Sequence, residues 1–169
     1  MSLSATTPRG GAKPAAKAVD VLLVCSAGGH LLQLRLLADA WQEMPHAWVT
    51  LEREDARSLL AGETVFYAFW PTTRHIPNLL RNLRLAWTLL RMLRPRVIVT
   101  TGAGVAVPFA WLGRFMGAKV VYIESLTRIA EPSLSCRLIG PIADRIYVQW
   151  PELRQNMPRA RYVGKVFGI

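Results

Sequence analysis

The sequence holds only two cysteines, Cys25 and Cys136. They are too far apart for a metal-ligand spacing and too few for a secreted disulfide framework. Nothing requires an oxidising compartment, so a cytosolic setting is the default. No uninterrupted apolar run reaches the roughly 18–20 residues that a spanning helix needs. Residues 1–19 are rich in Ala, Pro, Gly and Lys and lack an apolar segment, which excludes a signal peptide and reads as a flexible basic arm. Internal repeats and internal linkers are also missing, so residues 20–169 are expected to form a single domain. Acidic residues are scarce as well: 11 Asp and Glu face 21 Lys and Arg, a formal net charge of +10. That imbalance points to a polyanionic partner, either nucleic acid or the anionic face of a membrane.

What the sequence does contain is apolar strand and helix material in alternation. It is 51% hydrophobic, with six Trp, enough to offset chain entropy in one core. Asp20-Val21-Leu22-Leu23-Val24-Cys25 is a continuous apolar run, as in a central strand covered on both faces, where Cys25 reads as a small buried thiol. A turn at residues 26–30 leads into leucines at helical spacing over 31–43. Further strands are expected at 47–51, 64–69, 97–100, 119–123 and 145–148, with one more at 160–164. Helices are expected at 76–93 and 105–116, with shorter ones before residue 60 and over 133–140. This alternation predicts βαβ units and a Rossmann-like, doubly wound parallel sheet.

In such sheets ligands bind beyond the carboxyl ends of the strands. Three segments fall there. In the first, Ser26-Ala27-Gly28-Gly29-His30, Gly28 and Gly29 let a phosphate approach the backbone at a helix start. Glycine can equally serve the turn's own geometry. The dinucleotide fingerprint lacks its third spaced glycine, which leaves a stand-alone nucleotide-binding protein as the weaker alternative. His30 has the pKa range to take a proton from an attacking hydroxyl, or else it only contacts a ligand phosphate. The second segment, Thr101-Gly102-Ala103-Gly104, repeats the pattern, and the two turns together suit the two phosphates of a diphosphate. In the third, Glu124 can accept hydrogen bonds from sugar hydroxyls while Arg128 meets phosphate, or the two can pair with each other.

Arg81, Arg84, Arg91 and Arg94 recur along one face of the 76–93 helix. Leucines and Trp87 occupy most of the rest of its circumference. So wide an apolar arc with a basic edge suits a helix lying in the headgroup region rather than an ordinary helix packed on the sheet. Trp111, in the 105–116 helix, widens the same patch. Leucine, rather than stacking aromatics, accompanies the arginines, so no nucleic-acid partner is expected and a membrane is.

Taken together, Val24-Cys25-Ser26-Ala27-Gly28-Gly29-His30-Leu31-Leu32-Gln33-Leu34 resembles the opening motif of the PssD-type polysaccharide glycosyltransferase subunits. These are bacterial relatives of the membrane-recruiting subunit of the eukaryotic enzyme that adds the second N-acetylglucosamine to dolichyl diphosphate. Thr101-Gly102-Ala103-Gly104, Tyr122-Ile123-Glu124-Ser125, Arg128, Pro132-Ser133-Leu134-Ser135, Ala143-Asp144-Arg145, Val148-Gln149-Trp150-Pro151 and Tyr162-Val163-Gly164 follow in the family's order.

The resemblance implies the N-terminal, acceptor half of a GT-B fold, similar to the MurG-type transferases. It implies His30 as the base and the turns of Gly28, Gly29, Gly102 and Gly104 facing an acceptor diphosphate; with the residue reading above, Glu124 joins His30 as a catalytic candidate, and Ser26 and Arg128 join the diphosphate site. A separate donor-binding chain would bring the UDP-sugar and dock near Gln149, Trp150 and Pro151. The acceptor would be a polyprenyl-diphosphate-linked saccharide in polysaccharide biosynthesis, and the location the cytoplasmic face of a membrane, held monotopically. No metal and no organic cofactor are expected. A non-catalytic recruiter of a soluble transferase is the alternative.

Overall fold

The computed structural model describes residues 18–72 and 75–168, so residues 1–17 of the expected basic arm lie outside the described residues. Among these described residues seven strands run in parallel: β1 (Val21–Val24), β2 (His46–Leu51), β3 (Val65–Ala68), β4 (Val97–Thr100), β5 (Lys119–Ile123), β6 (Arg145–Val148) and β7 (Arg161–Tyr162). Their order across the sheet is β3-β2-β1-β4-β5-β6-β7. The direction of winding reverses between β1 and β4, which pair in register from Val21↔Val97 to Val24↔Thr100. A crevice therefore opens at the carboxyl ends of these two strands.

Among the described residues five α-helices connect the strands: α1 (Gly29–Arg35), α2 (Glu54–Leu59), α3 (Ile76–Leu93), α4 (Ala106–Phe115) and α5 (Leu134–Ile139). Because side chains alternate across a strand, each central strand feeds two cores. Leu22 and Val24 face Ala86, Leu90, Phe109 and Ile139 of α3, α4 and α5. Val21, Leu23 and Cys25 face Leu31 and Leu34 of α1 and Ala56 of α2. Cys25 is wholly buried, and burial pushes its thiol up to about 12, so it is a packing group.

Three expected elements are clearly shorter than the hydrophobic pattern suggests, the strand expected over 160–164 being only Arg161–Tyr162. The helix expected over 31–43 stops at Arg35, and a 3-10 turn follows at Ala38–Ala40. That tighter turn brings Trp41 edge-on to Trp48, with ring centroids 5.1 Å apart. An aromatic pair of this kind is worth about 0.5–1.5 kcal/mol beyond its area. The strand expected over 64–69 ends at Ala68. There the side chain of Asn82 takes over both backbone groups of Phe69, its Oδ1 accepting from N at 2.8 Å and its Nδ2 donating to O at 3.0 Å.

Candidate functional site

The crevice between β1 and β4 is built by a reciprocal pair. The His30 ring contacts the Thr101 carbonyl through Nδ1 at 2.8 Å, and the Thr101 hydroxyl donates to the His30 carbonyl at 2.9 Å. A carbonyl oxygen only accepts, so Nδ1 carries the hydrogen and Nε2 is left as the basic nitrogen. Burial lowers the imidazole pKa below its ordinary value, and nearby Arg128 pushes the same way. The Thr101 bond and Glu124 oppose both. The ring is therefore neutral at neutral pH and has a free lone pair at Nε2.

One helical turn further on, Gln33 is buried, and both ends of its amide reach the loop after β5. Its Nε2 donates to the Glu124 carbonyl at 2.8 Å, and its Oε1 accepts from Leu126 N at 3.3 Å. Trp150 grips the same loop from the other side, its indole N–H donating to the Leu126 carbonyl at 2.6 Å. This loop carries Arg128, which is exposed.

Glu124 is fully buried and does not face the crevice as a free acceptor. Its carboxyl group accepts from Ser125 N at 2.8 Å, Ser133 N at 2.9 Å and Ser133 Oγ at 3.0 Å. Those bonds tie the end of β5 to the start of α5, so its observed work is to hold the loop. The pairing of Glu124 with Arg128 weighed from the sequence is not what satisfies it.

The two glycine turns differ from the picture of open amide cradles. In the first, Gly28 has φ 77° and its N–H already donates to the Asp55 carboxylate at 2.6 Å. Ser26 beside it is half-buried, and Gly29 is exposed. In the second, Gly102 N donates to the Thr100 hydroxyl at 2.9 Å, and Ala103 N to the Ser135 hydroxyl at 3.3 Å. Gly102 has φ 96°, and a Cβ on it would stand 2.5 Å from the Tyr122 hydroxyl. A side chain at Gly104 would meet the Thr72 carbonyl at 3.0 Å. The glycines of this second turn thus admit neighbouring protein groups at very short range. Among the described residues no group of His, Cys, Asp or Glu side chains could hold a metal ion.

Away from the crevice, α3 is two-faced. Asn78, Asn82, Ala86, Leu89, Leu90 and Leu93 are buried, while Leu79, Leu80, Leu83 and Trp87 are exposed beside Arg81, Arg84 and Arg91. Arg94 caps the helix in the left-handed region. Among the described residues none of these four arginines has a carboxylate within salt-bridge distance. Trp111 is half exposed, its indole N–H donating to Leu138 O at 3.1 Å. No helix among the described residues is long and apolar enough to cross a membrane.

Of the three residues expected to meet a partner, Gln149 is buried, and its Oε1 accepts from Val166 N at 2.8 Å. It fastens the chain's own tail. Trp150 is half-buried under the Lys165 ammonium, 3.9 Å from the ring centroid, and Pro151 is exposed.

The sequence marked Thr101 only as part of a glycine turn and Gln33 only within the opening motif, and gave Asp55, Phe69 and Trp70 no role. A glutamine on the buried side of a leucine helix was the one legible signal among these. The others depend on contacts between segments far apart in the chain.

Residues 63–166, well over half of the chain, match the family described as "Oligosaccharide biosynthesis protein Alg14 like". The chain belongs to this family. The UDP-N-acetylglucosamine transferase subunit ALG14 of Debaryomyces hansenii is 33% identical over 114 residues, 64% of this chain and 47% of that protein. The human subunit of the same name is 30% identical over 103 residues, 57% of this chain and 47% of that one. This Alg14-like chain thus spans about half the length of these curated relatives. Their names agree with the expected glycosyltransferase subunit. Among solved structures, the crystal structure of Acinetobacter baumannii MurG superposes with a TM-score of 0.70 at 16% identity, covering 86% of this chain and 45% of that one. At such low identity the likeness establishes the fold, the Rossmann-like α/β domain that the sequence predicts.

Proposed function

We propose that this Alg14-like chain is the acceptor-binding, membrane-associated subunit of a two-component inverting glycosyltransferase. A separate donor-binding chain would hold a UDP-sugar, and the acceptor would be a polyprenyl-diphosphate-linked saccharide. The family and the names of its matched members support the transferase assignment. The PssD-type resemblance of the motifs supports a place in bacterial polysaccharide synthesis.

The observation that carries the reading is the His30–Thr101 pair. It sits at the topological switch point, fixes one tautomer and leaves Nε2 of a neutral imidazole as a base. In the reaction Nε2 takes the proton of the acceptor hydroxyl as that oxygen attacks the anomeric carbon. UDP leaves in the same displacement, which inverts the configuration there. Arg128 would meet the acceptor diphosphate, with Ser26, Gly28 and Gly29 lining its seat. Glu124, Gln33 and Thr101 act as positioning residues, holding the loop and the ring. Gly102 and Gly104 shape the floor rather than donating to phosphate.

The exposed apolar side of α3, with four arginines that have no carboxylate partner among the described residues, supports membrane attachment on the cytoplasmic face. Docking of the donor chain is supported by the opposite side of the sheet. There Val97, Val99, Val121, Tyr147 and Val163 line an apolar groove of about 590 Å³. Among the described residues, α1 and α2 cover only the β1–β3 half of that face.

One observation favours the second reading, a recruiter with no chemical role. Asp55 occupies the Gly28 amide that a phosphate would want. A transfer assay with both chains, UDP-sugars and a lipid-diphosphate saccharide in vesicles separates the two readings. His30→Ala is expected to lower turnover by about 10²–10⁴-fold. Undiminished turnover that still requires both chains would leave this subunit as recruiter alone.

A further inference from the structure

Trp70 is 67% exposed and Phe69 45% exposed, yet the loop that carries them is held firmly from below. Asn82, 2% exposed, bonds both backbone groups of Phe69, and Asn78, 3% exposed, donates from Nδ2 to the Pro71 carbonyl at 3.1 Å. Two buried amides on α3 are thus committed to presenting a pair of aromatic rings to the outside. Each is satisfied only while the loop keeps its shape, since an unpaired buried amide costs about 1–3 kcal/mol. Guanidinium groups flank the rings. Arg53 lies 5.8 Å from the Trp70 ring centroid, and Arg81 lies 5.8 Å from that of Phe69. Neither arginine has a carboxylate partner among the described residues. The loop continues through Thr72, whose carbonyl lies against Gly104 on the turn after β4. It therefore borders the crevice and leads into the exposed Ile76, Leu79, Leu80 and Leu83.

We infer that the Phe69-Trp70-Pro71 loop is an interfacial anchor that enters the headgroup region of an anionic bilayer and brings the crevice to that level. The inference rests on the membrane reading proposed above. The chemistry of the patch commits it to lipid. Amphipathic aromatic rings are at home at the boundary of water and hydrocarbon, and arginines beside them whose charge no described carboxylate neutralises complement lipid phosphates. A rigid anchor loses little freedom on insertion, so the exposed rings contribute most of their burial to binding. Held in this way, a lipid-linked acceptor would present its diphosphate at the β1–β4 turns without leaving the bilayer.

The test uses the full chain with vesicles of phosphatidylcholine and phosphatidylglycerol. Cys25 and Cys136 are buried, so an environment-sensitive fluorophore attached to a Trp70→Cys variant reports on that position selectively. Expected are a blue shift of its emission on vesicle addition and a loss of partitioning by about tenfold or more in Phe69→Ser/Trp70→Ser. Phe115→Ser, at the far end of α4, should lose less. Unchanged melting of the Ser variants would show that the fold survives. Emission that does not shift while the wild type co-sediments with vesicles overturns the anchor and leaves the membrane reading standing. A wild type that does not co-sediment removes the membrane reading first, and the anchor with it. Substitutions that spare vesicle binding but break the complex with the donor chain would make the loop a protein contact instead.

Discussion

His30 illustrates how much one side chain depends on a distant backbone group. Seventy-one residues separate it from Thr101, and the Thr101 carbonyl decides which ring nitrogen is basic. Because the neutral ring is the active form and burial lowers its pKa, activity should persist as pH falls past the ordinary imidazole value of about 6.5. The acid limb of kcat/KM is expected below that value, and a limb at or above it would contradict a buried base. The sign for stability follows from the same shift. Below about 6.5 the unfolded chain takes up the proton first, so stability falls as pH drops toward the folded-state pKa. Asp55 provides a second check at this scale. Removing its charge from the Gly28 amide with Asp55→Asn should tighten pyrophosphate binding by about threefold to tenfold, read by calorimetry. Weaker binding in that variant would show that phosphate does not compete for this amide. In the sequence, His30 stood out by its place after two glycines, whereas nothing marked Asp55 as the partner of the Gly28 amide.

The elements divide by how local their causes are. The span of α3 was legible residue for residue, because Pro77 at its second position and Pro95 just beyond its end punctuate the pattern. Its two-faced character was only half legible. Leucine stands on both sides of the helix, and only packing against the sheet shows that Leu89, Leu90 and Leu93 are core while Leu79, Leu80 and Leu83 are not. The buried Asn78 and Asn82 escaped notice because their partners lie in the preceding loop. For the exposed side, replacing Arg84 and Arg91 together by Gln should weaken partitioning into anionic vesicles by about 2 kcal/mol, roughly thirtyfold. Co-sedimentation at low and high salt measures this, and equal binding by variant and wild type would locate the attraction elsewhere. The 31–43 segment shows the opposite lesson. Its helical spacing extends past Arg35, but the edge-on packing of Trp41 against Trp48 draws the chain into a tighter turn.

At the scale of the molecule, the two faces of the sheet have separate tasks. The face under α3, α4 and α5 is closed and turns exposed Trp87, Trp111 and Phe115 outward. The other face is closed over β1–β3 and, among the described residues, left as a groove over β4–β6, lined by Val99, Val121 and Val163. If the donor chain seats there, Val163→Asp, at a position 77% exposed, should weaken the two-chain complex by about tenfold or more without lowering the melting temperature of this chain. Co-purification of the paired chains reads the result, and an intact complex would move the docking surface off the groove. Gln149, expected at that surface, lines the groove and also secures the tail that forms part of its wall.

The βαβ alternation, the positions of the strands and the carboxyl-end turns were determined by sequence alone. Apolar runs, periodicity and the glycine and proline signals act over neighbouring residues, so they can be read without a fold. Local pattern also marked His30, Arg128 and the arginines of α3 as chemically pointed. Tertiary structure alone decided what each of these groups does with its hydrogen bonds. It directed Glu124 inward to Ser125 and Ser133, gave the Gly102 and Ala103 amides to protein hydroxyls and set Asp55 on Gly28. The physical reason is that a buried polar group must find a partner wherever the fold supplies one, and here many of those partners lie far away in the sequence.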